Sequence, residues 1–320
     1  MGQKLYLECY SGISGDMTVA ALFGLMKDQT PLFCVLDHMP LEGFSYELKQ
    51  VKKSGIDAWD FLVKLDAEHE NHDHDMEYLH GHSHTHDHDD DHHHGHEHQQ
   101  DHAETDGHHH DPVQAEAMHA QEETGHEEHH HHHHEHRGLG DIFPIIDRCD
   151  MTDTAKELAK DIFRILAKAE AKAHNVPEDQ VHFHEVGAVD SIVDIVAAAV
   201  CMDSLQVDGV IVPFLCEGKG TVRCQHGILP VPVPAVTNII QDSGLKLRMT
   251  QVEGELVTPT GAAFVAAVRT EETLPETFRI LNVGIGAGKR KYECPGILRA
   301  MLIETEEKRE DKICKLEANI

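Results

Sequence analysis

The sequence predicts a mixed α/β fold, with a compact core interrupted by a long His-rich insert. Apolar runs typical of β-strands alternate along the chain with patterns typical of helices. Of the 320 residues, 40% are hydrophobic, which is enough for one or two packed domains. Residues 69–136 have almost nothing to bury, because 26 of these 68 residues are His, 19 are Asp or Glu, and none is Lys or Arg. We expect that segment to be disordered.

The insert sets the predicted domain boundaries. Residues 1–66 form an N-terminal α/β unit, and residues 67–137 form the disordered His/Asp/Glu-rich metal-binding insert. Residues 138–312 form the main α/β domain, which completes the core.

Before the insert, the pattern predicts a strand over residues 4–10, a tight loop over 11–16, a helix to about residue 27, and paired strands over 44–53 and 58–66. Ser14 or Asp16 is expected to cap that helix, and the strand pair to turn near Ser54 and Gly55.

After the insert, the pattern predicts helices over residues 141–148, 153–174 and 191–205, and strands over 209–213, 278–285 and 298–304. In the long helix, Leu158, Ile162 and Leu166 fall on one side. Residues 230–234 read as an extended stretch that opens a further helix, with Pro near its first turn.

The formal net charge of −30 argues against nucleic-acid and anionic-membrane partners and favours cations, metal ions included. No apolar run is long enough to span a bilayer, and the first residues have no signal-peptide layout, so we expect a cytoplasmic protein. The eight Cys never form a Cys-x-x-Cys pair, so we expect reduced thiols.

The His-rich insert is predicted to bind several metal ions, because neutral imidazole suits nickel, zinc and copper. A purification tag is the alternative, since residues 129–134 are six consecutive His. The internal position of that run and its mixed acidic surroundings argue against a tag. A fixed catalytic site is not expected inside a disordered segment.

A second candidate metal site combines two imidazoles with carboxylates. His182 and His184 share a face if they lie on a strand, and Asp190 and Asp194 share a face on a helix. With Glu185, they make a plausible nickel shell. In the alternative interpretation, Asp190 simply caps the helix and the two His lie on a solvated strand face.

Small residues fill the predicted loop between the first strand and helix, and a loop of this kind exposes backbone N–H groups that suit a phosphate. The candidate binding residues are Ser11, Gly12, Ser14, Gly15 and Asp16. Asp16 could instead hold a metal, and an ordinary strand-to-helix turn is the alternative to both.

Two further segments carry weaker signals. Residues 284–291 are Gly-rich and end in three cations, but they lack the spacing of a P-loop or a dinucleotide fingerprint and read best as a plain loop. Residues 254–262 suggest an anion site, although Thr258 capping a helix with Pro259 in its first turn explains most of the pattern.

Together these segments resemble the LarC family of nickel insertion proteins, which complete the nickel-pincer cofactor of lactate racemase. The matching segments are residues 5–7 with 11–17, then 182–194, 229–232, 254–262 and 284–288, in the family's order. The family also carries a His-rich insert of variable length. One minor departure is Glu8, where the family often has Asp.

The resemblance implies an α/β enzyme, a nickel chelatase or insertase of the lyase class. Its substrate is pyridinium-3,5-bisthiocarboxylic acid mononucleotide, which binds Ni²⁺ through two sulfurs and a ring carbon after loss of a ring proton. CTP with Mn²⁺ or Mg²⁺ is consumed, and lactate racemase-type apoenzymes receive the product. In the family, residues like 313–320 lead into a C-terminal domain associated with CTP binding. We therefore expect this chain to be inactive alone and to need a C-terminal-domain polypeptide as partner.

For the chemistry, the expected metal ligands are His182, His184 and Asp194, and the expected catalytic groups are Glu185 and Asp190. The alternative function is a non-catalytic nickel store or metallochaperone, which needs only the insert and a docking surface. A nucleotide-binding scaffold is a third interpretation. The sequence leaves the oligomeric state open, a homo-oligomer included.

Overall fold

The structure of the chain is a computed structural model that describes residues 2–66, 137–181, 183, 188–224 and 226–305. The predicted insert lies outside the described residues except for Arg137. So do the predicted site residues His182, His184 and Glu185, and residues 306–320.

Strands and helices alternate along most of the described chain. The strands are β1 (Gly2–Glu8), β2 (Phe44–Lys53), β3 (Ile56–Leu65), β4 (Gly209–Ile211), β5 (Leu215–Lys219), β6 (Thr221–Cys224), β7 (Gly227–Pro230), β8 (Leu247–Glu253), β9 (Arg279–Ala287) and β10 (Ile297–Thr305). The helices are α1 (Gly15–Phe23), α2 (Thr30–His38), α3 (Leu139–Arg148), α4 (Asp153–His174), α5 (Val189–Leu205), α6 (Pro234–Ser243) and α7 (Pro259–Val268), with a 3₁₀ turn over Glu178–Gln180.

The main sheet has six strands in the order β2-β3-β9-β10-β1-β4. Strand β1 pairs antiparallel with β10 and parallel with β4. The sheet therefore joins strands that precede the insert to strands that follow it. This mixed arrangement confirms the predicted α/β class.

Side chains along β1 point alternately to the two faces of the sheet, and they contact a different apolar cluster on each face. Leu5 and Leu7 are fully buried against the helical layer, whereas Tyr6 faces the opposite side of the sheet. On that side Tyr6 packs with Met301 and Ile303 under Leu274 and Phe278. The apolar run that predicted β1 thus reflects a strand buried on both faces.

The long helix α4 has the predicted bounds. Its N-cap Thr152 accepts a hydrogen bond from Ala155 N at 3.1 Å, and it ends at Asn175 in the left-handed conformation. Ile162 and Leu166 are fully buried on its apolar side, as the spacing predicted. The turn between β2 and β3 also falls where predicted, with positive φ at Ser54 and Gly55.

The glycines of the 284–288 segment let α1 approach β9 closely. A Cβ added to Gly284 would lie 2.0 Å from Ala21 O, and one added to Gly286 would lie 2.0 Å from Met17 O. The predicted strand over residues 278–285 is confirmed as β9, which continues to Ala287, so the expectation of a plain loop was wrong up to that residue. Here glycine permits close helix–strand packing, because no side chain separates the two backbones.

Helix α2 and the two-stranded pairs β5–β8 and β6–β7 were not predicted. These strands are short, and their apolar residues do not alternate for long enough to signal β structure. Within the described residues, no helix is long and apolar enough to cross a membrane.

Replacing Gly286 with Ala should destabilise the fold by about 1–3 kcal/mol, because the new methyl group would collide with backbone atoms that cannot move aside without shifting α1. Urea unfolding measures the change. The control is Gly140→Ala in α3, where nothing lies within 4 Å of the added Cβ. Equal unfolding midpoints for Gly286→Ala and the wild-type protein would contradict this packing argument.

Candidate functional site

Chain direction brings two helix starts and two loops to one edge of the sheet. Strand β1 ends where β10 begins, since Glu8 pairs with Arg299, and β9 ends at the same edge, since Ala287 pairs with Ile297. Helix α1 follows β1 through a short loop, so its N-terminus lies at this edge. Helix α5 also begins near this edge, because its Asp194 lies against Gly15, and it runs away from the edge toward the start of β4. Charged ligands of α/β proteins commonly bind at such an edge.

The loop between β1 and α1 is held by the segment that leads into α7. Ile13 N donates to Leu256 O at 2.9 Å, and Thr258 N donates to Ile13 O at 3.0 Å. Gly12 has φ +84°, and a Cβ there would lie 2.0 Å from Leu256 O. Only glycine fits this position, because both the backbone angle and the close contact exclude a side chain.

Thr258 caps α7 as the sequence predicted. Its hydroxyl accepts a hydrogen bond from Gly261 N at 3.2 Å, and Pro259 opens the helix. The predicted capping interpretation of residues 254–262 is therefore confirmed. The same segment also holds the loop at Ile13 in place, which the pattern did not reveal.

Asp16 binds the N-terminal turn of its own helix. Its Oδ1 accepts hydrogen bonds from Met17 N at 2.8 Å and from the Ser14 hydroxyl. Ser14 occupies the N-cap position, but its side chain makes no capping bond to the backbone. The Asp16 carboxylate thus lies where an external anion would compete for the positive end of α1. This geometry favours a cation-binding role for Asp16 over a phosphate-binding loop.

The carboxylate of Asp194 lies against the start of α1. A Cβ added to Gly15 would be 2.5 Å from Asp194 Oδ2, so the absence of a side chain at Gly15 makes room for this carboxylate. Asp190 lies one turn earlier on α5, as its four-residue spacing from Asp194 predicted. The N-cap of α5 is Ala188, so the alternative that Asp190 caps this helix was wrong.

Lys289 brings a positive charge to the acids. Its ammonium contacts a carboxylate oxygen of Asp60, donates to Phe61 O at 2.7 Å, and lies 3.9 Å from Asp16 Oδ2. Lys289 is one of the three cations that follow the 284–288 segment. Asp60 lies on β3, which pairs with β9 at Trp59 and Gly286.

The carboxylates raise one another's pKa. Burial raises the pKa of Asp194 well above its usual value, and the nearby negative charges of Asp16 and Asp190 raise it further. Burial also raises the pKa of Asp16, although Lys289 and the hydrogen bond from Ser14 oppose the shift. One lysine does not offset this concentration of acids, so the site favours an added proton or an added cation.

The described residues alone do not form a metal site. Among them, no group of three or more His, Cys, Asp or Glu side chains is arranged to hold a metal ion. The predicted imidazole ligands His182 and His184 are outside the described residues, as is Glu185. That segment directly precedes α5, whose first two turns carry Asp190 and Asp194.

Glu217 is a fully buried carboxylate that the sequence did not single out. Its Oε1 accepts hydrogen bonds from Gly218 N and Leu256 N at 2.7 Å and from Val257 N at 3.2 Å. These bonds fix the segment that holds Ile13. No pattern pointed to Glu217, because its role depends on a contact between distant parts of the chain.

Fold and site define an α/β protein with a cluster of carboxylates at the sheet edge where β1 and β9 end. Over residues 5–320 the sequence matches the family described as "Nickel insertion protein". The chain belongs to this family.

Three curated relatives carry the name pyridinium-3,5-bisthiocarboxylic acid mononucleotide nickel insertion protein. The one from Alkaliphilus metalliredigens is 45% identical over 324 aligned residues, covering 100% of this chain and 65% of the relative. The one from Acetivibrio thermocellus is 46% identical, covering 99% and 64%, and the one from Geobacillus kaustophilus is 35% identical, covering 94% and 59%. The chain thus spans slightly less than two thirds of their length. No solved structure matches it.

Replacing Asp194 with Asn should stabilise the fold by about 1–2 kcal/mol near neutral pH, because it removes a buried charge beside two other acids. A raised pKa means that the folded state holds a proton that the unfolded state releases, so wild-type stability falls as the pH rises through this range. The gain should therefore shrink toward about pH 4, where the unfolded carboxyl is also protonated.

Urea unfolding of the Asp194→Asn protein at several pH values measures this gain. Asp150→Asn, at an exposed position, is the matched control and should change stability little at any pH. A loss of stability in Asp194→Asn, or a gain in stability that does not depend on pH, would show that the neighbouring acids do not repel the charge of Asp194.

Proposed function

We propose that this protein inserts nickel into pyridinium-3,5-bisthiocarboxylic acid mononucleotide, to form the nickel-pincer cofactor of lactate racemase-type enzymes. The observation that carries the proposal is the meeting of Asp16, Asp190 and Asp194 at the sheet edge, with Lys289 as the nearby cation. The names of the relatives supply the identity of the metal and of the organic substrate.

Nickel is a substrate in this reaction, so its site must both bind and release the ion. Carboxylate and imidazole groups suit that task, because they bind borderline divalent metals without the softness of thiolates. We propose Asp194, His182 and His184 as nickel ligands, as the sequence suggested, and add Asp16 on the basis of its position beside Asp194. Mutual repulsion among the acids would strengthen the attraction for a divalent cation.

Formation of the carbon–nickel bond requires loss of a ring proton from the substrate. A carboxylate with a raised pKa is a better proton acceptor than an ordinary one. Asp190 and Glu185 remain our candidates for this base, and Asp190 lies close enough to Asp194 to raise its pKa. A loop at residues 11–16 could contact the substrate through Ser11, Gly12, Ser14 and Gly15. Asp16, however, disfavours an anion near the start of α1.

CTP, with Mn²⁺ or Mg²⁺, is proposed to be the second substrate. We assign CTP binding to the part of the relatives' length that this chain does not span, because none of the described loops has the features of a phosphate-binding motif. The reaction belongs to the lyase class of chelatases. A lactate racemase-type apoenzyme would accept the product, and we propose a cytoplasmic location from the sequence.

A nickel store or metallochaperone is the second candidate function. It is favoured by the His-rich composition of residues 69–136. That function would not need the buried acids of the sheet edge, whose mutual repulsion lowers the stability of the fold.

The two functions predict different nickel binding after deletion of residues 69–136. An insertase should keep one site that depends on the acids, so Asp16→Asn combined with Asp194→Asn should weaken it about 10- to 100-fold. Isothermal titration with nickel measures the affinity. The matched control combines Asp150→Asn with Asp179→Asn, which remove the same charge from exposed positions.

His182→Ala combined with His184→Ala should weaken the same site. A deletion variant that binds no nickel, or binds it equally well without the acids, would favour the storage function. Either result would show that the acids at the sheet edge do not bind nickel.

Completion of the cofactor should require more than this chain. We expect the 320-residue protein, given nickel, CTP and the bisthiocarboxylate mononucleotide, to leave a lactate racemase apoenzyme inactive. Adding the last third of the Alkaliphilus metalliredigens relative should restore activation, because it would supply the CTP site. Full activation by the chain alone would show that the CTP site lies within it.

A further inference from the structure

Three lysines lie together around Asp60, beside the acids of the candidate site. Lys289 contacts the Asp60 carboxylate and lies 3.9 Å from Asp16 Oδ2. Lys53, the last residue of β2, is close enough to Asp60, Lys289 and Lys291 for their charges to interact. We call Lys53, Lys289 and Lys291 the lysine cluster. It places positive charge directly beside the carboxylates of the sheet edge.

The loop that carries two of these lysines is anchored on its other side. It joins β9 to β10 over residues 288–296. Arg290 Nη1 donates to Glu255 O at 3.3 Å and to Glu255 Oε2 at 3.1 Å, and the Tyr292 hydroxyl donates to Glu255 O at 2.8 Å. Lys291 lies between these two anchored residues, and its side chain is exposed. Its backbone is therefore fixed while its ammonium can reach a ligand in solution.

The paired strands β2 and β3 hold the rest of the lysine cluster. Lys289 donates to Phe61 O at 2.7 Å, which ties the loop to β3 as well as to Glu255. Lys53 pairs with Ile56, four residues before Asp60 on β3, so the side chains of Lys53 and Asp60 lie on the same face of the strand pair. The cluster is thus assembled from two fixed segments, and a ligand would find its charges already in place.

Keeping the lysines together is unfavourable when no anion is bound. Burial lowers the pKa of Lys53, and the positive charges of Lys289 and Lys291 lower it further, although Asp60 and Asp16 oppose the shift. Asp60 is already in contact with Lys289, so it compensates only part of the positive charge. Proteins retain such concentrations of like charge where a ligand compensates for the repulsion. Here that ligand would be an anion.

We propose that the lysine cluster is a binding subsite for the phosphate monoester of a pyridinium mononucleotide. The proposal rests on the proposed function, since it gives a place to the phosphate of that reaction's organic substrate. Ammonium groups suit a phosphate, because each is a compact charge that donates hydrogen bonds to its oxygens. Lys289 also lies 3.9 Å from Asp16 Oδ2, so a phosphate bound here would leave the rest of the substrate beside the acids proposed to bind nickel.

The triphosphate of CTP is the alternative occupant of the lysine cluster. It carries more negative charge than a phosphate monoester and would be attracted to the same ammonium groups. The loops of this chain lack a phosphate-binding motif for a triphosphate, and a cluster of lysines next to the acids fits a smaller anion better. Measuring both ligands on the same variants separates the two occupants.

The experiment compares two pyridinium probes that differ only in the phosphate. Nicotinic acid mononucleotide and nicotinic acid riboside are titrated into the metal-free full chain by isothermal titration calorimetry. The wild-type chain should bind the mononucleotide about tenfold more tightly than the riboside, and added salt should reduce that difference. Lys53→Gln combined with Lys291→Gln should weaken mononucleotide binding about tenfold and leave riboside binding unchanged. Unchanged riboside binding also shows that the variant is folded.

Two further variants serve as controls. Lys53→Arg combined with Lys291→Arg keeps both charges and should bind the mononucleotide within about threefold of the wild-type chain. Lys52→Gln combined with Lys64→Gln removes two charges from exposed positions on the same pair of strands and should leave both affinities unchanged. CTP affinity should be the same in all of these variants.

The possible failures are distinguishable. If the wild-type chain binds neither probe, the assignment of the organic substrate to this chain fails, and the subsite with it. Equal affinity of the wild-type chain for the two probes, or unchanged mononucleotide binding in the double Gln variant, overturns the subsite alone. Loss of CTP affinity in that variant, with unchanged mononucleotide binding, overturns it in favour of a triphosphate site.

The proposed function can also fail while the subsite stands. In that case the lysine cluster would distinguish the mononucleotide from the riboside as expected. The chain would nevertheless form no nickel cofactor, even after addition of the last third of the Alkaliphilus metalliredigens relative.

Discussion

The close contact of α1 with the glycine face of β9 determines where every charged group of the site lies. Gly284 and Gly286 let the backbone of α1 rest directly on the strand. The start of α1 is thereby brought to the sheet edge where β9 ends and Lys289 follows. At the same helix start, the missing side chain of Gly15 admits the carboxylate of Asp194 from α5. Three elements that are distant in sequence thus meet because glycine removes the side chains that would separate them.

The arrangement has a cost in stability. Carboxyl groups held in a partly buried place repel one another, and the one ammonium of Lys289 is shared between Asp60 and Asp16. Proteins retain such groups where a ligand compensates for the repulsion. A divalent cation would do so here, and it would release a proton from the acids as it bound.

Much of the fold could be predicted from the sequence, because the spacing of apolar residues shows which side of a helix or strand is buried. The bounds of α4 follow from Thr152, Asn175 and the apolar stripe between them, and the β2–β3 turn follows from Ser54 and Gly55. The strand over residues 278–285 was predicted, but its continuation through Gly286 and Ala287 was expected to be a loop, since a strand that packs against a helix backbone has the glycine content of a flexible turn. The spacing of Asp190 and Asp194 predicted that they share a face. Asp60, Lys289 and Glu217 could not be assigned, because their partners lie far away in sequence and only the folded sheet brings them together.

Nickel is proposed to bind among the carboxylates at the sheet edge. X-ray absorption spectroscopy of one equivalent of nickel, bound to the protein lacking residues 69–136, tests it most directly. We expect a mixed shell of carboxylate oxygen and imidazole nitrogen, with the oxygen contribution reduced when Asp16 and Asp194 are replaced by Asn. A shell made of imidazole alone or of sulfur, unchanged by those substitutions, would contradict it.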